Sequence, residues 1–298
     1  MFSKTWAYID YNIVLTIISF LPFKIGRAIA KKRGTFYSKI KRDWRSSCFD
    51  DVLIYKRTFN AMKELLGVND PFLIKKALIK RYESQSIEEW EAKCIIMNRI
   101  REWDFVYENE KDINSELNSG RGVVLVTAHY GSSILGSVFL KNLKTNILAM
   151  SSDIVENPKV FRSINKFYMQ KYLAISNHLN LNGGQVLHKE KNTRQFLAQL
   201  KKQGSILILG DLPPSSNEKY HWINVLDKKK AVASGAVSLA SKANVSLFSY
   251  ICVYHEGQYV VRFSSKNQDP YDFLIQQIIA NPGLWWAADL LPLFPQGE

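Results

Sequence analysis

From Gly120 onward, short apolar runs of strand length alternate with segments of helical spacing. The predicted strands cover Val123 to Thr127, Asn146 to Met150 and Ser205 to Gly210. The predicted helices cover Ser132 to Leu140, Pro158 to Tyr172, Thr193 to Lys202 and Gly235 to Lys242. An antiparallel hairpin is expected from Val245 to Tyr254 and from Gln258 to Ser264, around Glu256-Gly257. Because strands that alternate with helices form crossover units, we expect an α/β fold with a mostly parallel central sheet flanked by helices.

Positive charge is concentrated near the N-terminus. Residues 24–57 contain eleven Lys or Arg against three Asp, so this stretch supplies eight of the +13 net charges. It follows an apolar run from Tyr11 to Phe23, which is shorter than the roughly 17 to 25 residues of a bilayer span. An apolar segment followed by a basic one is typical of a helix that lies in the face of an anionic membrane.

Three alternatives to membrane association apply to this segment. A signal peptide would need a stronger basic start than Lys4 and a small-residue cleavage site after Phe23. A plain buried helix would account for the apolar run alone. A nucleic-acid site would use the basic stretch, but it would not account for the apolar run beside it. Membrane association is therefore our prediction, with no nucleic acid as partner.

The chain before Gly120 has helical spacing. Two amphipathic helices are expected over Phe72 to Tyr82 and Ile87 to Ile100. We divide the chain into a membrane-associating N-terminal helix over residues 1–30, a helical region over 31–118 and an α/β catalytic core over 119–298. The second and third segments are expected to form one structural domain.

Cysteine and glycine patterns argue against common cofactors. The three cysteines are Cys48, Cys94 and Cys252, far apart and without metal-ligand spacing, so they indicate neither a disulfide framework nor a zinc site. No H-E-x-x-H, Walker A or dinucleotide-binding glycine pattern occurs in the sequence. We therefore expect chemistry that uses neither a metal nor a nucleotide cofactor.

Two polar residues stand where predicted strands end: His129 after Val123 to Thr127, and Asp211 after Ser205 to Gly210. The carboxyl ends of strands border the ligand crevice in open α/β sheets, so neighbouring strands would bring both side chains to it. His129 would be a base whose Nδ1 proton is held by Asp211, as in acyl-transfer sites. Alternatively, Asp211 caps the turn at Leu212 and His129 is a hydrogen-bonded strand terminus.

Ser132 and Ser133 follow closely after His129. Their spacing does not match the G-x-S-x-G nucleophile motif. We expect both serines to cap the following helix, whose free N–H groups would then bind an oxyanion or a phosphate.

The remaining four histidines are expected to have surface or packing roles. His178 and His188 fall in a predicted polar loop over Asn177 to Asn192, His221 lies beside Trp222, and His255 lies in the predicted hairpin turn.

Five segments resemble, in order, segments of one family, the late acyltransferases of bacterial lipid A biosynthesis, within the lysophospholipid acyltransferase superfamily. They are the apolar run ending in Leu21-Pro22, Gly120 to Gly131 (GRGVVLVTAHYG), Gly204 to Asp211, Val225 to Ala240 with Gly235, and Asn281 to Trp286 with its Pro-x-x-Trp pattern. Together they extend through most of the chain.

The resemblance implies transfer of an acyl group from an acyl-carrier-protein or CoA thioester to a hydroxyl of lipid A or a related glycolipid. It places the reaction at the cytoplasmic face of the bacterial inner membrane, without a metal or other cofactor. His129 would be the general base, and Arg162 is similar to the family's arginine near the site. Tyr130 and Gly131, beside His129, are predicted to bind substrate with Ser132 and Ser133. The implied partners are a membrane lipid acceptor, an anionic membrane surface and an acidic carrier protein, which positive charge would attract.

The chain departs from the family pattern at two places. The family has an acidic residue five positions after the histidine, where this chain has Ile134, and basic residues after the C-terminal tryptophan, where this chain has Ala287-Ala288-Asp289. Either Asp211 has become the partner of His129, with a changed donor or acceptor, or the protein is a catalytically inactive lipid-binding scaffold. Branches of the family that transfer an aminoacyl group would fit the first of these alternatives.

Overall fold

The computed structural model describes residues 3–100, 103–143, 145–215 and 218–297, leaving aside the side chain of Glu190. Residues 1, 2, 101, 102, 144, 216, 217 and 298, which the three predicted segments include, lie outside the described residues.

The N-terminal third is helical. Its elements are α1 (Lys4–Tyr8), a π-helical turn (Ile9–Val14), α2 (Leu15–Phe20), α3 (Phe23–Ile40), α4 (Trp44–Cys48), α5 (Leu53–Leu66) and α6 (Pro71–Ile96). The single helix predicted over residues 1–30 is wrong, because the chain leaves the helical conformation at Leu21, with ψ 157°. Pro22 disfavours helical backbone at the residue before it, and α3 begins just after it. Among the described residues, no helix is both long and apolar enough to cross a membrane.

The helix α6 replaces the two helices predicted over Phe72 to Tyr82 and Ile87 to Ile100, so that prediction is wrong. The polar residues between the predicted helices do not end α6, because neighbouring elements enclose them. Ser86 Oγ donates to the carbonyl oxygen of Ala30 at 2.7 Å, and Ser84 Oγ donates to that of Leu284 at 3.1 Å.

The rest of the chain alternates strands and helices. The strands are β1 (Phe105–Glu108), β2 (Val124–Thr127), β3 (Ile147–Ser151), β4 (Gln185–His188), β5 (Ser205–Leu209), β6 (Tyr220–Val225), β7 (Lys228–Ala233), β8 (Leu247–His255) and β9 (Gln258–Phe263). The α-helices are α7 (Lys111–Asn118), α8 (Ser133–Phe139), α9 (Arg162–Leu179), α10 (Lys189–Lys201), α11 (Gly235–Ala243) and α12 (Pro270–Ala280). Short 3₁₀ turns follow α12 at Pro282–Leu284 and Ala288–Leu293.

Seven strands form one sheet in the order β1-β9-β8-β2-β5-β3-β4. Neighbours pair in parallel except β8 and β9, which form the antiparallel hairpin expected around Glu256-Gly257. The predicted α/β class, with a mostly parallel sheet and flanking helices, is thereby confirmed.

Alternate residues of β2 pack on opposite faces of the sheet. Leu125 belongs to a buried cluster with side chains of α6, α8 and α9, whereas Val124 and Val126 belong to a second cluster with side chains of α10, α11 and α12. A central strand covered on both faces reads as a continuous apolar run. This explains why β2 was predicted within one residue of its observed start.

The predicted polar loop over Asn177 to Asn192 is wrong. The helix α9 continues to Leu179, β4 joins the sheet edge beside β3, and α10 begins at Lys189. His178 therefore lies in α9, and His188 is the last residue of β4. Residues of β4 are only partly buried, so its sequence lacks the apolar run of a central strand.

Candidate active site

His129 and Asp211 each lie two residues beyond the end of a central strand. The last residues of β2 and β5, Thr127 and Leu209, are partners in the parallel pairing of these strands. The Gly210 N–H donates to the Thr127 carbonyl at 2.8 Å and extends this pairing up to Asp211. The expected adjacency of the two strands is therefore present, and it brings the two side chains together.

The carboxylate of Asp211 holds His129 at two points. Its Oδ1 lies 2.9 Å from the ring Nδ1, and its Oδ2 accepts the backbone N–H of His129 at 2.8 Å. The indole Nε1 of Trp285 also donates to Oδ2, at 2.7 Å. Burial raises the pKa of Asp211, but the interactions with His129 and Trp285 outweigh burial and lower it overall. The alternative in which Asp211 merely caps the turn at Leu212 does not account for these bonds.

The geometry fixes the role of each ring nitrogen of His129. An ionised carboxylate only accepts hydrogen bonds, so Nδ1 carries the proton that is donated to Asp211. In the neutral ring Nε2 then has a lone pair. Nε2 has no hydrogen-bond partner in the described part of the chain, and 15% of the side chain is exposed. A hydroxyl group of a ligand can therefore reach Nε2 and transfer its proton there.

The segment after α12 covers this pair. The Trp286 N–H donates to the carbonyl of His129 at 3.0 Å, and the Gly131 N–H donates to the carbonyl of Leu284 at 3.0 Å. The rings of His129 and Trp286 meet edge to face, with centroids 4.4 Å apart. Trp285 and Trp286 are thus site residues to which sequence reasoning assigned no role. The adjacent tryptophans in the Pro-x-x-Trp segment were the available signal.

Tyr130 and Gly131, predicted to bind substrate, make backbone bridges to Trp285 and to Cys252, respectively. Tyr130 is buried, and burial raises the pKa of its hydroxyl. Gly131 has φ +61°, and a Cβ atom there would lie 2.4 Å from the Cys252 carbonyl oxygen. A side chain at position 131 would therefore push β2 and β8 apart.

The prediction that Ser132 and Ser133 cap α8 is wrong. Ser132 makes no side-chain capping bond among the described residues. Both serines are buried and donate to carboxylates of α6: Ser132 Oγ to Glu91 Oε1 at 2.8 Å, and Ser133 Oγ to Glu88 Oε1 at 2.5 Å. Direct substrate contact is not supported for either hydroxyl.

Arg162, the other predicted substrate-binding residue, is the exposed first residue of α9. No contact within the described residues joins it to His129. Two other arginines do approach the site. The guanidinium carbon of Arg45, on α4, lies 5.5 Å from the centroid of the Trp286 ring, and Arg81 Nε donates to the Trp286 carbonyl at 2.7 Å.

Arg45 and Arg81 neutralise Asp289, which follows the two tryptophans of the C-terminal segment. Arg45 Nη2 lies 2.6 Å from Asp289 Oδ1, and the same oxygen is 3.5 Å from Arg81 Nη2. Asp43 lies 3.0 Å from Arg81 and completes a buried set of two positive and two negative charges. Helices α4 and α6 thus supply arginines beside the C-terminal segment.

The remaining histidines have packing or surface contacts. His188 lies near Ser151 and Glu156, the ring of His221 lies 5.0 Å from that of Tyr271, and His255 lies 3.5 Å from Glu256 at the surface.

In residues 3–100, 103–143, 145–215 and 218–297, no group of three or more His, Cys, Asp or Glu residues is placed to hold a metal ion. A buried cavity of about 10 Å³, between Tyr11, Trp44 and Tyr82, has room for about one water. An open groove of about 460 Å³ lies between the end of α5 and the turn of β6 and β7. Neither cleft is lined by His129 or Asp211.

The fold and the site define an α/β protein with a His–Asp pair at the carboxyl ends of adjacent parallel strands. The chain matches no protein-family model and no curated protein.

Proposed function

We propose that the protein is a membrane-associated acyltransferase. It moves an acyl or aminoacyl group from a carrier-protein or CoA thioester to a hydroxyl of lipid A or a related glycolipid. The observation that carries the proposal is the contact of His129 Nδ1 with Asp211 Oδ1 at 2.9 Å, at the ends of adjacent parallel strands. The order of the five family-like segments favours acyl transfer over other reactions that use a histidine base.

The reaction needs one base and its orienting carboxylate. His129 Nε2 takes the proton of the acceptor hydroxyl while the hydroxyl oxygen attacks the thioester carbonyl carbon. The carbon–sulfur bond then breaks, and His129 returns the proton to the leaving thiolate. Asp211 stabilises the imidazolium between these steps, a role for which its lowered pKa keeps it ionised.

Membrane association is supported by a surface that we call the N-terminal apolar surface. It comprises the exposed side chains Ile13, Ile17, Phe20, Ile25, Phe36 and Ile40. The rings of Trp6 and Phe36, 6.0 Å apart, join the first helical stretch to α3. Exposed lysines of α3 (Lys24, Lys31, Lys32 and Lys39) lie along the same helix. Apolar side chains flanked by lysines suit the interface of an anionic bilayer.

Like Arg45, which pairs with Asp289, Arg33 is a cation of the basic stretch with a structural role. Arg33 is buried and pairs with Asp10 and with Glu89, the latter at 2.7 Å. It therefore attaches the π-helical turn and α3 to α6, and it is not part of the membrane-facing charge.

The proposed location is the cytoplasmic face of a bacterial inner membrane, where the protein is peripheral or monotopic. The net charge of +13 favours encounter with anionic lipid and with an acidic carrier protein.

The test is a comparison of membrane lipids by mass spectrometry. Strains carry the wild-type gene, no gene, His129→Ala or Asp211→Asn. We expect a mass shift in the wild type that His129→Ala abolishes. Asp211→Asn should also lose most of it, because removing the orienting acid of a triad lowers the rate by about 10⁴. The mass difference identifies the transferred group.

Circular dichroism of the purified variants controls for folding. Undiminished lipid modification by folded His129→Ala would refute the proposal. Binding of lipid vesicles without a mass shift in any strain would instead favour an inactive lipid-binding protein, the alternative to which Ile134 points.

A further inference from the structure

A carboxylate of α6 contacts Ile134, the residue that interrupts the family-like pattern. Glu88 of α6 is buried, and its Oε1 accepts the Ile134 N–H at 3.2 Å and the Ser133 hydroxyl at 2.5 Å. Ile134 lies five residues after His129. Glu88 therefore brings to the start of α8 a negative charge that residue 134 does not carry.

Burial of this carboxylate is only partly compensated. Burial raises the pKa of Glu88, while the Ser133 hydroxyl and the positive charges of Lys171 and His129 oppose that rise. Burial also lowers the pKa of Lys171, on α9, to about 8. A buried charge is costly unless it is paired and hydrogen-bonded. The position of Glu88 is thus maintained at a cost to stability, which points to a role beyond packing.

We propose that Glu88 is a positioning residue for His129, a second carboxylate that fixes the start of α8. Asp211 holds Nδ1 directly. Glu88 acts through the Ser133 hydroxyl, through the backbone N–H of Ile134 and through its charge. The inference rests on the proposed function in one respect, since it takes His129 to be the base.

Several ionisable groups interact electrostatically with Glu88, so their charges also affect a pH titration of this region. They are His129, Lys171 and Tyr168 of α9, Tyr250 and Cys252 of β8, and Glu91 one turn further along α6. Of the carboxylates in this set, Glu88 is the one that contacts α8, whereas Glu91 accepts from Ser132 and Tyr259.

The test follows the His129 ring by NMR across pH in histidine-labelled protein, assigned by the signal that His129→Ala removes. Glu88→Gln keeps the size of the side chain and removes its charge. We expect it to lower the pH midpoint of the His129 ring titration, since it removes a negative charge that interacts with the ring. Glu91→Gln is the matched control from the same helix, and it should leave the midpoint unchanged.

Equal midpoints in folded Glu88→Gln and in the wild type would overturn the proposal. A second measurement uses the wild type alone, in case Glu88→Gln does not fold. The Ile134 amide signal should shift with pH together with the carboxyl signal of Glu88, and an amide signal that does not follow Glu88 would also overturn the proposal. Neither measurement uses transfer activity. A negative lipid test therefore leaves this result interpretable, and a negative NMR result leaves acyl transfer untouched.

Discussion

At Asp211, three N–H groups converge on one buried carboxylate: two from His129 and one from Trp285. The contact with His129 could be predicted because both residues follow apolar strands. The contact with Trp285 could not be predicted, since Trp285 lies in the segment after α12 and no sequence pattern places that segment beside Asp211. The roles of Ser132 and Ser133 were not predictable either, because the carboxylates that they contact lie on α6, and no local pattern indicates that α6 packs beside α8.

We expect Glu91 to make the stability of the protein depend on pH near neutrality. Burial raises the pKa of Glu91 from 4.5 to about 7. The folded state therefore binds a proton more tightly than the unfolded state. This contribution to stability is complete below about pH 4.5 and declines as the pH rises through about 7. Glu91→Gln stays neutral and should lack this decline. Urea unfolding at about pH 5 and about pH 8 measures the difference.

For each protein, the free energy of unfolding at one pH is compared with that at the other pH. A change in stability that the substitution causes equally at both pH values therefore cancels. The same loss of stability between the two pH values in Glu91→Gln and in the wild type would show that Glu91 is not the group responsible.

Among the elements, the central strands were predictable and the hairpin of β6 and β7 was not. Its turn places Leu226 at φ +56°, where Gly or Asn is the usual signal. Its lysines suggest a solvated surface, yet Lys230 is buried and lies 3.1 Å from Glu64. The edge strand β1 was missed too, because it is short and only partly buried. These elements are stabilised by tertiary contacts, and the local sequence pattern does not indicate such contacts.

The N-terminal apolar surface yields a prediction about the first helices. Ile17 is 57% exposed on α2, and Ile17→Glu should weaken binding to anionic vesicles about tenfold or more, since burying one such side chain contributes roughly 1.5 to 3 kcal/mol. Flotation with vesicles measures binding, and added salt should weaken the binding of the wild type as well.

Phe72→Glu is the matched control, because Phe72 is 73% exposed at the start of α6. The helix α2 contacts α6 at Trp90, whose Nε1 donates to the Ile18 carbonyl at 3.2 Å. Phe72 lies about 27 Å from Trp90 along the helix. Equal loss of binding in both variants would indicate a general effect of an added charge and contradict the assignment of the surface.

On the scale of the whole molecule, Arg81 joins the N-terminal helices to the C-terminal segment. Its side chain is fully buried, and it contacts Asp43 at 3.0 Å, Asp289 at 3.5 Å and the Trp286 carbonyl at 2.7 Å. Arg81→Met removes one positively charged partner from the buried carboxylates of Asp43 and Asp289. The free energy of unfolding should fall by about 3 to 5 kcal/mol, as measured by chemical denaturation.

Lys76→Met, at an exposed position of the same helix, is the control and should change stability little. A similar small change in Arg81→Met would mean that Arg45 alone neutralises both carboxylates.

The contacts of Trp285 with Asp211 and of Trp286 with His129 also affect the rate of folding. His129 and Asp211 are 82 residues apart, and Trp285 reaches Asp211 across another 74. Contacts between such distant residues require long loops to close, and they slow folding. An intermediate that holds only the central strands would bring His129 and Asp211 together but would lack the bond from Trp285 to Asp211. Full reactivity at His129 would therefore also require the C-terminal segment to dock, and it would report the completion of folding.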